Sequence, residues 1–159
     1  LGDLDTGHTL LMAAEAATAL EPRLRHEGRT ETSGQLAEFL AAGRAATPND
    51  IQQARAVIQD CTRFTSAALQ QVDVLVTLAA PGEAPEGLAS TGDPVFNKLA
   101  SVTGLPAVGL PVDTGAAGLP LGVQIIAPAQ ADHALIRVAT CLTDRAGLTA
   151  LCAPTEEQR

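Results

Sequence analysis

The run Val74-Leu75-Val76-Thr77-Leu78 constrains this chain most, because it is apolar and largely β-branched with no polar alternation. A strand with one wet face alternates, whereas a strand without alternation is covered on both faces by other layers. The run therefore predicts a central strand in a layered α/β arrangement. Two further apolar runs, Ala107 to Val112 and Leu121 to Ala127, flank the Gly-rich stretch Asp113 to Pro120 and read as an antiparallel hairpin with a longish turn. Between the first run and the hairpin lie a Pro/Gly loop, Ala79 to Gly92, and a short helix opened by Asp93-Pro94 and running to about Val102. A helical crossover followed by a hairpin implies an α/β fold with a mixed β-sheet covered by helices. Three strands are few for a self-sufficient domain, so a broad exposed apolar patch is expected where further strands would pack.

Helix signals surround this sheet. Thr9 to Leu20 is rich in Ala and Leu, and Glu21-Pro22 predicts a bend or a break. Thr32-Ser33-Gly34-Gln35 has capping-box spacing ahead of Leu36, Phe39 and Leu40, with Gly43 as the expected stop. Thr47-Pro48-Asn49-Asp50 opens a long helix expected to reach about Gln71, its apolar stripe formed by Ile51, Ala54, Ile58, Cys61, Phe64 and Ala68. A last helix, capped by Asp132, runs to about Arg145 with Leu135, Val138, Ala139 and Leu142 inward and Gly147 as its stop. Within what reads as part of one domain, the chain has a helical lead-in over 1–46, an α/β stretch over 47–147, and a tail over 148–159 expected to fray from Ala150.

Composition narrows the function classes. Among 159 residues there is no Trp, no Tyr and only three Phe, so the core is built from Ala, Leu, Val and Ile. The net charge of −8, with ten scattered Lys and Arg, disfavours binding to a phosphate backbone, and no nucleic-acid partner is expected. Thr114 to Ala131 is uncharged but interrupted by Gly, Pro and Gln, so it does not read as a membrane span. Leu1-Gly2-Asp3 does not begin a secretory signal, and the widely spaced Cys61, Cys141 and Cys152 read as buried thiols of a reducing compartment, here the cytoplasm.

A hydrolytic centre needs a nucleophile, a base within reach and donors for an oxyanion. Ser33, Ser66, Ser90 and Ser101 stand in no Gly/Ser-rich run or G-x-S-x-G elbow. His8, His26 and His133 are dispersed at helix ends, where solvated or capping roles are commoner than catalysis, and they make no metal set. Lys98, the only lysine, reads as a surface residue more readily than as a desolvated base. The glycines at 115, 118 and 122 suit a hairpin turn better than a nucleotide loop. No catalytic residue, metal or cofactor is therefore assigned within these residues.

Four blocks in order nevertheless carry a resemblance: Asp73-Val74-Leu75-Val76-Thr77; Thr91-Gly92-Asp93-Pro94-Val95-Phe96-Asn97; Thr103-Gly104-Leu105-Pro106-Ala107; and Gly118 to Ile126, which reads GLPLGVQII. Together with Asp132 they resemble the C-terminal portion of amidase-signature enzymes, most clearly from Thr47 to Gly147, although Leu78-Ala79-Ala80 replaces the family's usual proline after the strand. The resemblance implies part of an amidase-signature fold and, in an intact enzyme, hydrolysis of small-molecule carboxylic amides through a Ser-cisSer-Lys triad without metal or cofactor. None of the triad maps onto this chain, which alone is expected to be inactive. A homodimer of the intact enzyme is also implied, with a non-catalytic or amidotransferase A-subunit-like relative as the alternative. By the same resemblance Thr91, Asp93, Phe96 and Asn97 form a wall of the substrate pocket, although Asp93 serves equally as a helix cap and Phe96 as core.

Overall fold

The structure is a computed structural model and describes residues 2–28 and 32–148. The expected tail beyond Leu148, Cys152 included, lies outside the described residues. Among the described residues, helices and strands follow in the order α1 (Gly2–His26), α2 (Gly34–Ala45), α3 (Pro48–Ala68), β1 (Leu75–Leu78), α4 (Lys98–Thr103), β2 (Ala107–Thr114), β3 (Pro120–Ile126) and α5 (Asp132–Ala146). They form two compact units, Leu1–Arg63 and Phe64–Arg159.

The first unit is helical and held by small residues. Pro22 lies inside α1 without ending it, contrary to the expected two-part helix. Proline removes a single backbone bond there, in the last turns of a long helix, while the Arg44–Glu21 ion pair ties that stretch to α2. The α2 N-cap is Ser33, whose Oγ accepts from Leu36 N–H at 3.3 Å, one residue later than the Thr32 spacing suggests. Gly43 does not stop α2 but lies buried within it, where an added Cβ would collide with the Ala13 backbone of α1. A closer crossing of two helices is open to glycine because it has no side chain. Gly7 of α1 also faces Ala54 of α3, although a Cβ there would meet Ala54 at an ordinary contact distance of 3.4 Å, and Ala13, Ala17, Leu40 and Ala54 form a core without aromatics.

Helix α3 begins as its sequence dictates. Thr47 Oγ1 accepts from Asp50 N–H at 3.2 Å, while the Asp50 carboxylate accepts from Thr47 N–H at 2.9 Å and from the Thr47 hydroxyl at 2.6 Å. The hydroxyl bond foremost, then the backbone bond, holds the Asp50 carboxyl below its ordinary value. The expected stripe fails at one position: Phe64 is 79% exposed and Thr65 only 3%. At about 100° per residue Phe64 lies roughly 80° off the line of Ala54, and Thr65 only about 20°. Helical phase outweighs hydrophobicity at that turn.

In the second unit the strand order is β1-β3-β2 and both ladders are antiparallel, so β1 and β2 run in the same direction on either side of β3. The α/β architecture is the expected one, but the central strand is β3. β1 is an edge, with Val76 60% and Leu78 50% exposed. Its unbroken apolar character reports two apolar faces, which an edge strand also possesses. The rungs Leu75–Ile126–Ala107 and Thr77–Gln124–Gly109 share one face, on which Ile126 packs with Leu69, Ala100 of α4 and Leu105. On the other face Ile125 packs with Leu135 of α5, Val74 and Val108. Ile125 and Ile126 are both fully buried, as a strand between two helical layers requires.

α4 starts at Lys98 rather than at Pro94, and α5 has Ala131, not Asp132, at its N-cap. Gly147 ends α5 in the left-handed region at φ 66°, where Leu148 N–H donates to Thr143 O at 3.0 Å and closes the expected glycine stop. Among the described residues no helix is long and apolar enough to cross a membrane.

Candidate functional site

The four expected wall residues occupy one continuous segment between the loop after β1 and α4. Thr91 and Asp93 are exposed, Phe96 is half-buried, and Asn97 stands immediately before α4. Asp93 does not cap α4: its carboxylate accepts from Val95 N–H at 2.9 Å and shapes a turn that Asn97 N–H closes onto Pro94 O at 2.9 Å. The Asn97 side chain makes no cap either. Its Oδ1 accepts from Gln124 Nε2 at 2.8 Å, which fastens the segment to the middle of the sheet.

Gln124 joins the candidate site through this bond and sequence reasoning missed it, although a signal exists: it is the polar residue inside the otherwise apolar run of β3. It is only 9% exposed, and its Oε1 is buried without a hydrogen-bond partner among the described residues. Glu83, in the loop after β1, is a second such residue. Its carboxylate accepts from Ala117 N–H at 3.0 Å and from Leu119 N–H at 2.9 Å, in the β2–β3 turn. Those partners are 34 and 36 residues away, so no local pattern announces them. Ala79 N–H donates to Gly122 O at 2.9 Å, giving the loop a third attachment on the same hairpin.

Other polar candidates have local roles. Ser33 caps α2, Ser90 Oγ accepts from Gly92 N–H at 3.1 Å within its own loop, and Ser66 and Ser101 stand exposed on α3 and α4. Cys61 is half-buried on α3, whereas Cys141 is exposed on α5 and not buried as expected; neither forms a disulfide. Among the described residues no three His, Cys, Asp or Glu side chains gather as a metal site. A groove of about 720 Å³ runs between the segment 69–74 and α5, lined by residues such as Val72, Leu135, Val138 and Leu142. It includes none of the four wall residues and is mainly apolar, so it has no evident chemistry and the polar segment 91–97 with Gln124 remains the better candidate.

The arrangement matches a known family. The family model described as Amidase matches residues 14–136, most of the chain. The chain belongs to the Amidase family. Within this family it is 30% identical over 154 residues to the glutamyl-tRNA(Gln) amidotransferase A-subunit of Zymomonas mobilis, with 77% of the chain and 31% of that relative covered. It is 27% identical over 157 residues to a fatty acid amide hydrolase of Medicago truncatula, covering 91% of the chain and 26% of that protein. A solved amidase structure superposes with a TM-score of 0.75 at 26% identity, covering 89% of the chain and 35% of the solved one. This amidase-family chain therefore spans between about a quarter and a third of the length of these relatives.

Proposed function

We propose that the chain is the C-terminal portion of an amide hydrolase that cleaves carboxylic C–N bonds of small-molecule amides. The Amidase match over residues 14–136 is the observation that carries this reading, and the superposition on a solved amidase supports it. In this reading the Ser-cisSer-Lys triad, which would form an acyl-enzyme and then hydrolyse it, belongs to residues outside this chain. The chain contributes sheet, helical cover and the pocket wall of Thr91, Asp93, Phe96 and Asn97, in which the short polar groups of Thr91, Asp93 and Asn97 can orient a substrate amide by hydrogen bonds and Phe96 offers apolar surface. A second reading, that of an amidotransferase component, is favoured by the likeness to the Zymomonas mobilis protein.

The two readings separate in one assay series. The chain alone and an amidase-length protein carrying it are incubated with a panel of aliphatic, aryl and fatty acyl amides and with glutamine, and ammonia or amine release is followed. The expected outcome is turnover of simple amides by the longer protein only, abolished when its nucleophilic serine becomes alanine. Hydrolysis of glutamine only in the presence of partner proteins would favour the amidotransferase reading. Full activity of the 159-residue chain by itself would overturn the proposed division of labour.

A further inference from the structure

We propose that Glu83 is a positioning residue, a latch that sets where the proposed substrate wall stands; the inference rests on the amidase reading for the wall's role. The arc 84–96 leads from Glu83 to Asn97 and has little packing of its own, since residues 84–95 are exposed and Leu88 is fully so. Its side-chain bonds are short-range: Gly92 N–H to Ser90 Oγ, and Val95 N–H to Asp93 Oδ1. Gly87 and Gly92 have φ of 84° and 89°, a conformation that gives the chain its turns without apolar contacts to hold them. Where an arc lacks a core, its course is determined by what holds its ends.

Both ends are held on one hairpin. At the far end Gln124 of β3 grips Asn97. At the near end the Glu83 carboxylate spans the β2–β3 turn, Oε1 accepting from both Ala117 N–H and Leu119 N–H, and Oε2 also accepting from Ala117 N–H at 3.1 Å. Charged acceptors make stronger bonds to backbone N–H than neutral ones do. The turn is also shaped to receive this side chain: a Cβ at Gly115 would fall on the Glu83 carboxyl group. The latch and the grip thus refer Thr91, Asp93 and Phe96 to the hairpin, and through β3 to the sheet.

Hydrogen exchange of the full chain tests the latch without any substrate. In E83A, exchange at the Ala117 and Leu119 amides, and at the bonded Gly92 and Val95 amides of the arc, should rise about tenfold, with β1 and β3 protection unchanged. E83Q keeps one oxygen within reach of both amides and loses only the second acceptor of Ala117, so it should restore most of the protection at Leu119 and part of that at Ala117. In the amidase-length protein E83A should raise KM several-fold with kcat within about twofold, and E83Q should bring KM back. Unchanged exchange in E83A overturns the proposal, as does loss of protection throughout the sheet or a KM that does not move in an active enzyme. A wild-type protein that turns over no amide while the exchange difference persists counts against the amidase reading and for the latch.

Discussion

Gly43 stands where α2 crosses α1 so closely that a β-carbon would fall on the Ala13 carbonyl. Replacing a helical glycine by alanine gains about 1 kcal/mol of helix propensity. Overpacking typically loses about 1–3 kcal/mol, and here the obstacle is backbone, which cannot rotate out of the way. At the upper end of that loss, Gly43→Ala should lower stability by about 2 kcal/mol net, measured as an earlier denaturant midpoint. Gly34, also in α2 but with nothing near its Cβ position, is the control: Gly34→Ala should be neutral or slightly stabilising. Composition reveals that the core is made of small residues, but it does not tell which glycine is a stop and which a contact. Gly43 lies within the helix, and only the neighbour from α1 distinguishes it.

Among the elements, α3 is the most legible, since its Thr47–Asp50 box is a local arrangement and its bonds span three residues. Those bonds hold the Asp50 carboxyl below its ordinary value, the Thr47 hydroxyl contributing most. A depressed folded-state value means that the cap contributes fully above the unfolded value near pH ~4 and is lost as pH falls through the lower folded value. Amide exchange in the first turn of α3 should accordingly accelerate in that acid window. Asp50→Asn should flatten the dependence, and an α3 first turn equally protected at every pH would contradict it. α4 is less legible because Asp93-Pro94 carries the grammar of a helix start yet closes a turn. Asn97, which the tertiary bond to Gln124 occupies, fixes where that turn gives way to helix. The hairpin β2–β3 is legible in its apolar runs, whereas its irregularity between Pro111 and Asp113 is not.

At the scale of the molecule, β1 is an edge strand with two exposed apolar side chains. Val76 and Leu78, with the outward backbone groups of an edge strand, offer a template for another strand. The chain alone should self-associate as its concentration rises, and Val76→Lys should shift it toward monomer in sedimentation velocity with little change in melting temperature. A wild-type chain monomeric at every concentration would remove the basis for this expectation. Release of the Glu83 latch would lengthen the free arc by about a third, which costs only roughly 0.2 kcal/mol in loop-closure entropy. The charge-assisted bonds, at the roughly 1.4 kcal/mol that a tenfold exchange difference represents, are the larger effect, so the latch acts through its bonds and not through loop length.

Short-range patterns determined the start of α3, the apolar runs that become strands and the blocks by which the family is recognised, because capping, phase and strand pairing within a hairpin all operate over a few residues. The order of the strands, the edge position of β1, and the meeting of Glu83 with the hairpin turn and of Asn97 with Gln124 were decided only by the tertiary structure. Each depends on groups far apart in the chain competing for one place, and a hydrogen bond across 27 or 36 residues leaves no periodic trace in the residues between.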